Sequence, residues 1–312
     1  MPKEFLTYQQ QIKKLKSSGL AIEDEEACAR ALADIGYFPV VNGYQSFFRD
    51  PSTRIYREGA TFEDILALYK FDAELRGVML SALLKVEAKI RSALAYEFCA
   101  TYGEHQGKYL DARCYATSKG AKRVLPKLLN MLDFIANKDT SRAYLVYYRR
   151  AYGNVPLWVA VNAMTFGQIS KMLMAIRDNE KARIAKRFGV KNPKELSSFI
   201  RALALYRNVC AHGERLFSHR CHVEIPDTVL HSKLGIEKVG PNYACGKVDI
   251  FSVVIALRYL LSADEFKAFK SKLVKCVNGY LFSDESIGEE RLLGAMGFPA
   301  EWKKITRYKI RD

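Results

Sequence analysis

The sequence places an arginine, an amide and an imidazole within one short segment, at Arg207, Asn208 and His212. Imidazole side chains titrate near neutral pH and can therefore move protons under physiological conditions. A guanidinium is always charged, and its planar donors match two oxygens of a phosphate group. Together these groups predict the chemistry of a metal-free ribonuclease, in which one group shuttles a proton and a cation stabilises the phosphorane.

The spacing alone leaves a second interpretation open, because the helix dipole also favours Arg and His in the last turn of a surface helix. The surrounding charge favours the first interpretation. Residues 183–220 contain nine Lys or Arg but only two Glu, and such a density of cations is typical of nucleic-acid binding. The nine cations are Arg183, Lys186, Arg187, Lys191, Lys194, Arg201, Arg207, Arg215 and Arg220.

The whole chain is basic as well, with 49 Lys and Arg against 34 acidic residues and a formal net charge of +15. Such an excess attracts polyanions, of which nucleic acid and an anionic membrane surface are the main classes. No apolar run approaches the roughly 18 residues of a membrane span, and the N-terminus lacks a signal-peptide core. The seven cysteines are scattered without a CxxC pair. We therefore expect reduced thiols, a cytoplasmic location and no membrane contact.

Apolar residues recur with helical spacing along most of the chain, which predicts a mainly α-helical protein. The longest pattern runs from Thr61 to about Tyr102, and its Thr61-Phe-Glu-Asp64 start is typical of a capping box. Gly and Pro residues interrupt the pattern between 218 and 247, where we expect loops or a short hairpin. The other predicted helices cover 9–18, 23–34, 119–137, 142–151, 157–164, 168–177, 180–188, 193–211, 248–261, 263–278 and 286–294.

The predicted helix 193–211 brings most of the polar groups around the motif onto one stripe. At 100° per residue, Lys194, Arg201, Asn208, His212 and Arg215 fall within an arc of about 60°. The apolar residues of the helix lie on the opposite side. We expect Lys194, Arg201 and Arg215, together with the nearby Arg220, to contact RNA.

Arg207 lies off this stripe, at the margin of the apolar face. Its side chain must therefore reach a buried acceptor or turn toward a shared cleft. Glu87 and Glu97 lie on the long helix that should pack near the motif, and either carboxylate could orient His212. The sequence does not distinguish between them.

Two other groups of residues are candidates for binding. A cluster of His and Cys suggests zinc, but its C-x-H and H-x-C-H spacings match no common ligand set, so we expect neither a metal nor a cofactor. A second group combines rings and cations that either stack on bases or belong to the core. The first group is Cys210, His212, His219, Cys221 and His222, and the second is Tyr147, Tyr148, Arg149, Arg150 and Tyr152.

Five blocks, in order along the chain, resemble the Abi-like proteins, which are bacterial abortive-infection proteins of the AbiD/AbiF type within the HEPN superfamily. The central blocks are a long helical segment at 61–98, NVPLWVAVNAMTFGQISKML at 154–173 and RNVCAHGERLFSHR at 207–220. The outer blocks are IGYFPVVNGYQSFFRD at 35–50 and MGFPAEW at 296–302. Together the blocks extend over most of the chain.

The resemblance implies an all-α, HEPN-type helical bundle with additional N- and C-terminal helices and an irregular or hairpin segment near 220–247. We divide the chain into an N-terminal segment 1–60, a HEPN-like domain 61–220 and a C-terminal part 221–312. In this family an Rx4–6H motif forms a metal-independent ribonuclease site that dimerisation usually completes. Arg207 and His212 match that motif, and Asn208 matches the polar residue that commonly follows the arginine.

Two functions of different classes follow from these observations. The first is an endoribonuclease of phage defence that acts as a homodimer, with His212 shuttling the proton, Arg207 stabilising the phosphorane and Asn208 orienting one of them. The second is a non-catalytic module that binds RNA or another partner in the same basic cleft. The expected partners are an RNA substrate and a non-coding RNA or antitoxin-like regulator.

Overall fold

Helices form nearly all of the regular structure in the computed structural model, which describes residues 4–284 and 286–310. The prediction of an all-α fold is confirmed, since 67% of the chain is helical. The first seven α-helices are α1 (Tyr8–Ser17), α2 (Glu25–Asp34), α3 (Phe62–Tyr102), α4 (Gln106–Tyr109), α5 (Lys119–Asp133), α6 (Ala143–Tyr152) and α7 (Leu157–Ala160). The next seven are α8 (Phe166–Ala175), α9 (Asp178–Arg187), α10 (Pro193–Ala211), α11 (Val229–Lys233), α12 (Ile250–Leu260), α13 (Ala263–Ser283) and α14 (Glu289–Met296).

Shorter elements connect these helices. The predicted hairpin is confirmed as β1 (Lys238–Val239) paired antiparallel with β2 (Asn242–Tyr243). Two π-helical turns lie at Phe38–Asn42 and Phe134–Lys138. Turns of 3-10 helix lie at Gln45–Phe47, Ala112–Cys114, Val161–Ala163 and Trp302–Arg307.

The predicted helix bounds hold best where an element is long. The prediction for α10 agrees with the structure at both ends, whereas the predicted helix 119–137 divides into α5 and a π-helical turn. Two short helices, α4 and α11, were not predicted, because four or five residues are too few to display a helical period. Within the described residues, no helix combines the length and the apolar character needed to cross a bilayer.

The 41-residue helix α3 is the central element of the fold and is about 60 Å long. Its predicted capping box is confirmed, since Thr61 and Asp64 exchange side-chain-to-backbone hydrogen bonds of 2.8 and 3.0 Å. Helices α9, α10 and α13 pack against it. One continuous cluster of buried residues extends from Ile12 to Ile305. The division of the chain into three parts at residues 60 and 220 stays a prediction.

Asp72 of α3 is a fully buried carboxylate that holds the segment following the motif. Its oxygens accept hydrogen bonds from the backbone N–H groups of Leu216 and Phe217, at 2.9 and 2.7 Å. The Tyr44 hydroxyl and the Arg76 guanidinium donate to it as well, at 2.7 and 2.8 Å. Burial raises the pKa of the Asp72 carboxyl, and these donors oppose that shift. Asp72 therefore fixes the path of the chain a few residues after His212.

Replacing Asp72 by Asn should lower the free energy of unfolding by about 3 kcal/mol or more, because the buried Arg76 and the backbone donors lose their acceptor charge. Urea denaturation of the purified protein measures this loss. Asp133, half-exposed and 2.9 Å from Lys138, is the control. Its replacement by Asn should cost less than about 1 kcal/mol, and equal losses in the two variants would contradict the role given to Asp72.

Candidate functional site

Helix α10 ends at the motif in a Schellman arrangement, which fixes the backbone of His212. Gly213 adopts a left-handed conformation with φ of 69°. The N–H of Glu214 donates to the Val209 carbonyl at 3.1 Å, and the N–H of Gly213 donates to the Cys210 carbonyl at 3.4 Å. A left-handed residue is favourable only for glycine, so the His-Gly sequence determines where the helix stops.

The side chains of Asn208 and His212 face solvent at this helix end. The backbone carbonyl of Asn208 accepts the N–H of His212 at 2.9 Å, which keeps the two residues in helical register. Within the described part of the chain, neither side chain has a hydrogen-bond partner. The imidazole and the amide are therefore accessible to a ligand.

Arg207 reaches a buried acceptor, the first of the two alternatives that its position suggested. Its Nε donates to Oε2 of Glu87 at 3.2 Å, and Glu87 is only 3% exposed. The other oxygen of Glu87, Oε1, accepts from Nη2 of Arg91 at 2.6 Å. The same Nη2 atom lies 3.1 Å from the carbonyl oxygen of Met164. One carboxylate of α3 therefore holds two guanidiniums side by side.

This cluster carries one more positive charge than negative charge. Glu87 contributes one negative charge, whereas Arg91 and Arg207 each contribute a positive one. Arg207 uses Nε for its ion pair, and among the described residues nothing occupies its two Nη groups. Its side chain is 27% exposed, so these donors remain accessible. A phosphate could bind them and bring the cluster to neutrality.

Glu97, the other carboxylate that could orient His212, also binds two arginines. Its two oxygens accept from Nε of Arg183 and Nε of Arg187, each at 2.7 Å. It lies ten residues beyond Glu87 on α3, about 15 Å along the helix axis. Among the described residues, neither carboxylate contacts His212. The structure thus places Glu87 at the motif, where its partner is Arg207 and not the imidazole.

The RNA-binding role of the four cations stays a prediction, and the structure gives these residues different environments. Lys194 and Arg201 are exposed on α10, as expected. The placement of Arg215 on the same helical stripe was wrong, because α10 has already ended and Gly213 has redirected the chain. The Arg215 guanidinium instead donates to the Gly43 carbonyl at 2.6 Å. Arg220 lies 3.5 Å from the buried Asp249 and remains 45% exposed.

The other two candidate groups differ in burial, since Cys210 and Cys221 are buried whereas Tyr147 and Tyr152 are 57% and 64% exposed. Burial raises the pKa of the Cys210 thiol to about 12. In the part of the chain that the structure describes, no group of three or more His, Cys, Asp or Glu side chains could hold a metal ion. The rings of Tyr147, Tyr148 and Tyr152 pack on one another with centroids 5.4–5.9 Å apart. Arg149 donates to backbone carbonyls at the end of the Phe134–Lys138 turn.

Arg91 and Asp72 were not predicted as parts of the site, although the sequence carries a signal for both. Each is a charged residue next to the buried stripe of α3, where an apolar side chain is the usual occupant. Local spacing indicates one partner of each, since Asp72 pairs with Arg76 and Arg91 with Glu87 four residues away on α3. Their contacts with other elements cannot be read from that spacing.

A comparison with protein families gives one match, to a family described as Abi-like protein, over residues 30–218. The matched segment includes the motif residues Arg207, Asn208 and His212, together with Glu87 and Arg91. No curated protein and no solved structure matches the chain. Because the match covers more than half of its length, the chain belongs to the Abi-like protein family.

Proposed function

We propose that this chain is a metal-independent endoribonuclease of phage defence, whose site contains Arg207, Asn208 and His212. The observation that carries the proposal is the arrangement of Arg207, which buried Glu87 aligns while its Nη groups stay open. An exposed imidazole lies one turn further along the same helix. Membership of the Abi-like family supports the role in abortive infection. We assign the HEPN type of the helical bundle on the sequence resemblance.

The proposed reaction is an attack of the ribose 2′-hydroxyl on the adjacent phosphorus. The imidazole of His212 takes the hydroxyl proton as the O2′–P bond forms, and the P–O5′ bond breaks as the leaving oxygen receives a proton. The products are a 2′,3′-cyclic phosphate and a 5′-hydroxyl. Arg207 stabilises the negative charge on the non-bridging oxygens, where a fixed donor acts most strongly in the transition state. The amide of Asn208 orients one of these two groups.

A homodimer completes this site in the proposal. His212 is five positions after Arg207, so their side chains would leave an α-helix in directions about 140° apart. One chain also offers one motif imidazole, whereas the reaction benefits from a base and an acid. A two-fold interface with the RNVCAH segments face to face would supply the second imidazole and the second guanidinium.

The second candidate function is a non-catalytic module that binds RNA, or a non-coding RNA or antitoxin-like regulator, on the same basic face. One observation favours it, namely that within the described residues nothing holds the imidazole of His212 in a fixed orientation. A catalytic base usually needs such an orienting group. Cleavage assays separate the two functions, since both predict binding and only the first predicts products.

We expect RNA cleavage by the wild-type protein to persist in EDTA and to disappear in His212→Ala. Arg207→Ala should lower kcat about 100-fold or more, because a donor to the developing charge is lost. The products are measured by gel electrophoresis and tested for the cyclic phosphate. Activity that is lost in EDTA and returns with Mg²⁺ or Zn²⁺ would contradict the mechanism.

Two variants serve as controls for this experiment. Arg183→Ala also removes one of two arginines from a buried carboxylate, and Glu97 keeps Arg187 as its partner. In the same way, Arg207→Ala leaves Glu87 paired with Arg91. It should retain near-wild-type kcat. Arg201→Ala, on the exposed stripe, should weaken RNA binding and reduce the slope of log K against log salt by about 1. Equal losses of kcat in Arg183→Ala and Arg207→Ala would point to a structural effect.

Glu87→Gln should lower kcat by roughly 10- to 100-fold with little change in KM, since misplacing Arg207 by about 1 Å affects the transition state more than binding. Glu97→Gln is the matched control, with the same buried carboxylate chemistry on the same helix. It should leave kcat unchanged while losing similar stability in urea. A parallel fall of kcat in the two variants would refute the positioning role of Glu87.

Mixing wild-type chains with inactive His212→Ala chains tests the composite site. If each site needs both histidines, activity after full subunit exchange should fall as the square of the wild-type fraction. Sedimentation under the assay conditions establishes the oligomeric state. A linear fall, or full activity from a protein shown to be monomeric during turnover, would refute the composite site.

A further inference from the structure

A groove of about 680 Å³ is lined by α3 on one side and by α7 and the 3-10 turn that follows it on the other. Arg91, Ser92 and Tyr96 line its α3 side, and Trp158 and Asn162 line the other. Among the residues that the structure describes, no acidic side chain contributes to the lining. Its floor is formed by small residues of α3, so a planar group could lie against the helix.

The groove carries two exposed aromatic side chains. Trp158 is 48% exposed and Tyr96 is 61% exposed, whereas Trp302, the second tryptophan of the chain, is fully buried. The guanidinium of Arg187 lies 4.3 Å from the centroid of the Tyr96 ring. Exposed rings accompanied by cations are typical of surfaces that stack on nucleic-acid bases.

Arg91 joins the groove to the proposed site. Arg91 lines the groove, and its Nη2 donates to the same Glu87 carboxylate that aligns Arg207. The two guanidiniums therefore lie on either side of one carboxylate. A strand whose phosphate contacts Arg207 can place a neighbouring nucleotide at Arg91.

Asn162 supplies a group that can recognise a base edge. Its Nδ2 atom donates to the carbonyls of Trp158 and Val159, at 2.8 and 3.3 Å. These bonds fix the orientation of the amide and, among the described residues, leave Oδ1 without a donor. Oδ1 can therefore accept a hydrogen bond from an exocyclic amine.

We propose that this groove binds an unpaired nucleobase of single-stranded RNA, stacked on Trp158, next to the phosphate held by Arg207. This proposal rests on the proposed function, because the ribonuclease mechanism is what places a phosphate at Arg207. Among the described residues of the lining, Arg91 is the one charged side chain and no acid accompanies it, which favours a ligand with both an anionic group and a planar ring over a wholly apolar partner. A paired base cannot enter, because its faces and edges are already occupied within the duplex, so the groove would select single strands.

The test uses a short single-stranded RNA with 2′-O-methyl riboses, which binds but cannot undergo 2′-hydroxyl attack. Stacking should quench the tryptophan emission of the wild-type protein, and Trp158 is the reporter because Trp302 is buried. In anisotropy titrations, Trp158→Ala should weaken the Kd by roughly tenfold, and Trp158→Phe should retain most of the affinity. A duplex of the same sequence should cause no quenching.

Phe134→Ala is the control, because Phe134 is 52% exposed, close to the exposure of Trp158, and lies outside the groove. Its Kd should equal that of the wild type. If the tryptophan emission of the wild-type protein does not change when RNA binds, the proposal is overturned. This measurement does not depend on whether any variant folds. An unchanged Kd in Trp158→Ala would overturn it too. Dissociation of a dimer by Trp158→Ala, with RNA affinity intact, would assign the groove to a second copy of the chain.

The outcome is independent of catalysis, because the modified RNA is not cleaved. Quenching without cleavage of ordinary RNA would refute the nuclease and leave the groove as a base-binding site. Cleavage with the same KM in Trp158→Ala and wild type would refute the groove and leave the nuclease.

Discussion

Three carboxylates are buried along α3, and the requirement to pair them holds distant parts of the chain against this helix. An unpaired buried charge costs several kcal/mol, so each of Asp72, Glu87 and Glu97 needs its donors for the fold to be stable. Each carboxylate is bound by at least one residue from a remote segment. The side-chain donors are Tyr44, Arg76, Arg91, Arg183, Arg187 and Arg207.

Two of these pairings determine the geometry of the candidate site. Glu87 fixes the guanidinium of Arg207 on the α3 side of α10, whereas Asp72 fixes the chain at Leu216 and Phe217. The end of α10, with His212, lies between these anchors. The backbone of the motif is therefore held on both sides, while the imidazole itself stays exposed. The site therefore has a positioned cation and an imidazole without a fixed orientation, as the proposed mechanism expects if a second chain or the substrate completes it.

Local patterns in the sequence predicted the helical fold, the capping box at Thr61, the hairpin near 240 and both ends of α10. These features depend on neighbouring residues, so they can be read from spacing. The carboxylate that could orient His212 could not be chosen from the sequence, because Glu87 and Glu97 both lie on the predicted helix α3 and their partners on other elements do not follow from local spacing. The position of Arg215 was mispredicted because the helical stripe was extended beyond Gly213.

The charge balance at Glu87 links the motif to the groove beside it. A single arginine on this carboxylate would form a neutral pair with little attraction for a phosphate. The second arginine leaves one positive charge in excess, and Arg91 and Arg207 share it across the carboxylate. The field of this charge therefore extends over both the helix end and the groove with Trp158. An RNA strand that runs from the motif to the groove would place its phosphate at a guanidinium and the following base at the ring of Trp158.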